Sequence, residues 1–115
     1  MTNQELYEEF KKLNETSSLK DFQKYEDNMI QTRGFDKETA QDVMLLMMEE
    51  IGELAKEVRK TTQIKLDSKQ NRESDLKGEI TDVFHYLLAL CRVTNVDLLE
   101  AFQEKEERNF KRQWK

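Results

Sequence analysis

Val43-Met44-Leu45-Leu46-Met47-Met48-Glu49-Glu50-Ile51-Gly52-Glu53-Leu54 and, further on, Glu79-Ile80-Thr81-Asp82-Val83-Phe84-His85-Tyr86-Leu87-Leu88 decide how this chain reads. Each stretch joins a strongly apolar run to carboxylates spaced three apart. That spacing puts the acids on neighbouring positions of one helix face. With Glu50 set at zero on a helical wheel, Leu46 falls near about −40°, Leu54 near +40°, Val43 near +20° and Met47 near +60°. Glu50 is therefore ringed by apolar neighbours, with Glu53 at their edge and Glu49 further round. On the later stretch Glu79 and Tyr86 fall within about 60° of Asp82. Carboxylates facing a core are costly unless something positive meets them.

The rest of the chain falls into place around these two helices. Residues 3–13 read as a short helix with Leu6, Phe10 and Leu13 on one stripe. Asn14 to Ser18 is a polar break, and Ser18 with Asp21 reads as an N-cap with an acidic first turn. A second helix runs to about Arg33 on Leu19, Phe22, Tyr25, Met29 and Ile30, and Gly34 is its C-cap. Asp36 is expected to cap a long helix to about Lys60, and Ser74 a second one to about Thr94. Residues 61–73 are a polar connection in which Ile64 and Leu66 can pack locally. Asn95-Val96 is a tight break, and Asp97 with Glu100 opens a last helix expected to reach the C-terminus.

Three glycines and no proline argue against the turns of a sheet protein. The expected class is all-α, a helical bundle built from two long antiparallel helices with shorter flanking helices. At 115 residues, residues 1–115 read as one domain. Large apolar faces on so small a chain call for association, a homodimer or homotetramer. The net charge of −5, with basic residues scattered among the acids, argues against duplex nucleic acid as partner. No apolar run suits a membrane span and the polar start carries no signal-peptide pattern. With the single Cys91, this reads as a cytoplasmic protein.

If the two long helices meet, their acids converge and would repel one another. A hard divalent cation relieves that repulsion, and all-oxygen ligation selects Mg²⁺, with Mn²⁺ as a substitute, over zinc or copper. Mg²⁺ keeps positions open for water and phosphate oxygens, which suits water attack on a phosphoanhydride. Among 24 Asp and Glu residues one such pair alone would be surface charge. The rival reading is a non-catalytic helical oligomeric interaction module whose acidic clusters are solvated.

The motif E-E-x-x-E followed by E-x-x-D resembles the MazG-like nucleotide pyrophosphohydrolases of the all-α NTP pyrophosphatase superfamily. The likeness extends over Met48–Glu57, over Lys77–Leu90 with small Gly78 before the first acid, and over Arg33-Gly34-Phe35. Lys105, Asn109 and Arg112 match a C-terminal K-x-x-x-N-x-x-R pattern. The likeness covers roughly residues 30 to 112. It implies cleavage of a nucleoside triphosphate between the α and β phosphates, giving a monophosphate and pyrophosphate, in housekeeping of nucleotide pools. It also implies Glu50, Glu53, Glu79 and Asp82 as Mg²⁺ ligands. Glu49 would then orient or deprotonate the attacking water, and Lys105, Asn109 and Arg112 would contact phosphate. Phe35 stands where the family often carries tryptophan, and the connection between the acidic motifs is long for the family.

Other residues carry weaker signals. Tyr86 lies on the acidic face, where it either binds a ligand or simply packs. Asp82 and His85 form D-x-x-H; a di-iron site needs two such histidines, which this one-histidine chain could supply only as a symmetric dimer, and a partly exposed helix histidine is the favoured reading. Cys91 reads as a small buried hydrophobe, and Met44, Met47 and Met48 as core or interface filling. Phe102, Phe110 and Trp114, spaced by multiples of four, are expected to dock the last helix, with Trp114 also able to stack on a base.

Overall fold

The computed structural model describes residues 1–62 and 75–114. They form α1 (Asn3–Lys11), α2 (Leu19–Thr32), α3 (Ala40–Thr62), α4 (Leu76–Thr94) and α5 (Leu98–Lys111), and among the described residues there is no strand. The all-helical expectation holds. The chain divides into two compact units, Met1–Lys37 with Cys91–Lys115, and Glu38–Leu90.

Local chemistry explains most helix boundaries. Thr2 and Glu5 make a reciprocal capping box on α1, as do Ser18 and Asp21 on α2. At the end of α2 the Gly34 amide donates to the Gln31 carbonyl and the Phe35 amide to the Ile30 carbonyl. This is a Schellman motif, and Gly34 takes the positive φ of 79° that it requires. The end of α4 repeats the device with Asn95 at φ 57°, the Asn95 amide reaching Arg92 and the Val96 amide reaching Cys91. Asp97 Oδ1 then accepts the Glu100 amide at 3.1 Å to open α5.

Three expectations are corrected. The cap of α3 is Thr39, not Asp36. Thr39 Oγ1 accepts the Asp42 amide at 3.1 Å and Asp42 Oδ2 accepts the Thr39 amide at 2.9 Å. Asp36 sits in a turn that the Schellman motif needs before the chain can re-enter a helix. Nor does α5 reach the C-terminus: Arg112 is extended at ψ 140°, and Trp114 folds back to donate its indole N–H to the Asn109 carbonyl at 3.1 Å. Phe102, Phe110 and Trp114 do not dock that helix. They are exposed, Phe110 at 82 %. A step of eight residues turns about 80° round a helix, so Phe102 and Phe110 share no narrow stripe. Asp75 caps α4, its Oδ1 accepting the Gly78 amide at 3.3 Å. The cap expected at Ser74 and the packing expected of Ile64 and Leu66 lie outside the described residues.

In the first unit, Leu6, Met29, Ile30 and Cys91 are buried, and burial pushes the Cys91 thiol pKa up. Phe10 meets Tyr25 with ring centroids 6.3 Å apart, joining α1 to α2. Glu26 is also buried, at 2 % exposure, on the face that the apolar stripe of α2 defines. Gln23 on α2 holds the entry to α5 with both ends of its amide. Its Nε2 donates to the Val96 carbonyl at 2.9 Å and its Oε1 accepts the Leu98 amide at 2.9 Å. Arg92 Nε donates to Asp27 Oδ1 at 2.6 Å, holding the Asp27 carboxyl below its usual pKa.

In the second unit Val43, Leu88 and Ala89 are buried. The face of α3 carrying Met44, Met48, Ile51, Ala55 and Val58 is exposed. Its steps of four and three residues are those of a coiled-coil seam.

Replacing Gln23 with Ala removes both hydrogen bonds at the α5 entry. The expected loss is about 1–2 kcal/mol of stability, from the usual worth of a hydrogen bond and of a stranded amide. Urea denaturation checks this: the midpoint falls while the slope stays constant.

Candidate metal centre

Glu49, Glu50 and Glu53 come from the middle of α3, and Glu79 and Asp82 from the first two turns of α4. Glu50, Glu79 and Asp82 each offer a carboxylate oxygen, and these oxygens lie within 4.8 Å of one another. Among the described residues no other group of three potential ligands does so. Glu50 and Glu79 are half-buried and Asp82 is exposed, so the cluster has one side open to solvent.

The electrostatics match that geometry. The Glu79 carboxyl pKa is raised, first because burial penalises its charge, then because Asp82, Glu50 and Glu53 repel it. Its Oε2 is shut off from solvent with no hydrogen-bond partner among the described residues. A shielded carboxylate oxygen beside two further carboxylates is an oxygen-only donor set, and such donors suit a hard ion such as Mg²⁺ or Mn²⁺.

The other expected residues are placed as follows. Glu53 lies outside the trio; its Oε1 takes Lys56 Nζ at 3.5 Å, and its charge still bears on Glu79. Glu49 is exposed and contributes to the negative field at Tyr86. Tyr86 is half-buried, and burial, followed by Glu50, Glu38, Asp82 and Glu49, raises its phenol pKa. It therefore remains a neutral hydrogen-bond donor on the acidic face. Lys105, Asn109 and Arg112 belong to the other unit. There the Arg112 guanidinium lies 4.5 Å from the Trp114 ring centroid, and the Asn109 carbonyl holds the indole.

Two residues escaped the sequence reading. Glu38 acts on Tyr86 from just before the α3 cap, outside any helical spacing that would align it with the acids. Glu57 is buried on α3 at 8 % exposure and accepts the Asp75 amide at 3.0 Å. The i,i+3 spacing reveals its pair with Lys60, but no side-chain pattern reveals its bond to the backbone amide that precedes α4.

Compared with individual curated proteins, the chain matches none. Compared with protein families, residues 38–113 match the MazG nucleotide pyrophosphohydrolase domain. The match begins beside the α3 cap, takes in both acidic motifs, and runs past α5. Spanning well over half of the sequence, it makes this chain a member of the MazG nucleotide pyrophosphohydrolase family.

Proposed function

We propose that the chain is a Mg²⁺-dependent nucleoside triphosphate pyrophosphohydrolase, cleaving between the α and β phosphates to leave a monophosphate and pyrophosphate. The observation that carries this reading is the trio Glu50, Glu79 and Asp82, with its shielded, unpartnered Glu79 oxygen. Those three would hold the ion, with Glu53 completing the set from the edge of the same face. When bound, Mg²⁺ supplies positive charge against the negative charge that develops as the phosphoanhydride breaks. Glu49, exposed beside the trio in sequence, is suited to orient or deprotonate the attacking water. Tyr86 keeps its proton and can donate it in a hydrogen bond to a phosphate oxygen. Lys105, Asn109 and Arg112 would contact phosphate, a role that rests on the family pattern. We assign all of residues 1–115 to one functional domain and place its work among cytoplasmic nucleotide pools.

The same reading includes self-association through α3. Met44, Met48, Ile51, Ala55 and Val58 form an exposed seam with heptad spacing, and α3 and α4 as an antiparallel pair would present it to a second copy. The occupant is a second copy of the chain, giving a helical bundle as homodimer or homotetramer.

Incubation with a panel of standard and modified nucleoside triphosphates and Mg²⁺ should release monophosphate and pyrophosphate from at least one of them. Glu53→Gln should lower the rate at least about a hundredfold, the scale of losing a charge stabiliser. A panel with no monophosphate product removes the reading.

The metal-free protein has a pH signature. A carboxyl whose folded pKa is raised adds stability below its unfolded pKa and loses that contribution as pH rises through the folded value. Glu79→Gln should therefore raise the melting temperature of the metal-free chain at neutral pH relative to wild type, with the difference vanishing in acid. It should also abolish the Mg²⁺-dependent rise that the wild type shows by mass action on the folded state. Thermal melts across pH, with Mg²⁺ and with chelator, check both.

Ile51→Glu puts a charge in the centre of the seam. Sedimentation velocity should then show a monomer where the wild type sediments as a dimer or tetramer, with helix content unchanged.

A further inference from the structure

Four helices of this chain close their N-termini locally or carry the residues to do so: Thr2 with Glu5, Ser18 with Asp21, Thr39 with Asp42, and Asp97 with Glu100. In such a box the residue three positions after the cap sends its side chain back to the cap's own amide. In α4 that position is Gly78, which has no side chain to send. A Cβ on Gly78 would meet the Asp75 carboxylate where it now lies, so the carboxylate would have to shift from its capping position. The Asp75 amide is instead taken by Glu57 Oε2, from the far end of α3, at 3.0 Å. Glu57 Oε1 accepts Lys60 Nζ at 3.0 Å, so both oxygens of this buried carboxylate are engaged. The box is split between two helices.

The split box stands in register with the carboxylate trio. Glu50 precedes Glu57 by seven residues and Asp82 follows Asp75 by seven. Glu53 precedes Glu57 by four and Glu79 follows Asp75 by four. Seven residues are about two turns, or 10.5 Å of helix. The bond from Glu57 to Asp75 thus lies at equal axial distance from the acids on each helix, which is the relation of an antiparallel pair. A slip of α4 by one residue would carry Asp82 about 1.5 Å along the axis and turn it about 100°. That is enough to take it out of a cluster spanning 4.8 Å.

We propose that Glu57 is a positioning residue for the metal-binding carboxylates, setting the register of α4 on α3 through the Asp75 amide. It does so by reach rather than by charge. The proposal rests on the reading of Glu50, Glu79 and Asp82 as a metal site.

Two variants separate reach from charge. Glu57→Gln keeps an acceptor oxygen at the same distance and loses the charge; Glu57→Asp keeps the charge and falls one methylene short. Mn²⁺ binding without nucleotide, followed by calorimetry, is the readout, with circular dichroism to establish the folded fraction. The expected result is wild-type affinity within about threefold for Glu57→Gln. Glu57→Asp should lose about tenfold, the low end for groups that orient metal ligands. A merely structural role would lower the melting temperature of Glu57→Asp and leave the Mn²⁺ affinity of the folded protein unchanged, and that result overturns the proposal. So does equal loss in both variants. Should Glu57→Asp not fold, Glu57→Asn takes its place as the short side chain beside Glu57→Gln: a tenfold loss in Glu57→Asn alone supports the role, and equal affinities or a loss in Glu57→Gln overturn it. A wild-type chain that binds no Mn²⁺ overturns the metal reading and the positioning role together, which distinguishes that failure from failure of the positioning role alone.

Discussion

Three carboxylate oxygens from two helices lie within 4.8 Å of one another, and carboxylates that close repel. Everything in the second unit has to hold α3 and α4 together against that repulsion. Val43, Leu88 and Ala89, buried on these two helices, are the apolar, non-directional contribution to this unit. Apolar burial selects which face of a helix turns inward, but it is less exacting about position along the axis than a hydrogen bond is. The directional part comes from the bond between Glu57 and the Asp75 amide, and from Gly78, which leaves room for the Asp75 carboxylate over the first turn of α4. The Glu79 carboxyl pKa is raised first by burial and then by the neighbouring acids Asp82, Glu50 and Glu53. In a family that hydrolyses nucleotides, such stored repulsion is what a cation relieves.

Much of this was legible in the sequence because short-range chemistry wrote it there. Gly34 and Asn95 both end helices with a left-handed residue, and Ser18 and Asp97 both start them, as their side chains demand. The acidic face was legible because helix spacing alone aligns Glu50 with Glu53 and Glu79 with Asp82. Spacing does not fix rotamers, and Glu53 turns towards Lys56, outside the trio. Asp36 misled because an acid before a helix resembles a cap wherever it stands, while the turn at Gly34 uses up the residues that follow it. Glu26 could have been found: it falls at a core position of the α2 stripe, between Phe22 and Met29, and only its charge argued against burial. The role of Glu57 could not be, since the bond that sets it apart goes to a main-chain amide eighteen residues away in sequence.

Apolar residues divide in the same way between what the chain uses itself and what it leaves open. Leu6, Met29, Ile30 and Val43 are closed into the two units. Leu45, at 67 % exposure, and the seam from Met44 to Val58 are not, and neither are Phe102 and Phe110. The C-terminal residues Asn109, Arg112 and Trp114 form a small cluster of their own, in which the guanidinium rests on the ring and keeps its hydrogen-bonding edge free of the stack.

The bond from Glu57 to Asp75 sits just inside the point where α3 and α4 are joined. Because it fixes the pairing of the two helices from within, the linking segment has no need to measure out their register. Closing a longer loop costs little, about 0.6 kcal/mol per doubling of length. A change of length between the two helices would therefore cost little stability so long as the bond from Glu57 to the Asp75 amide is kept.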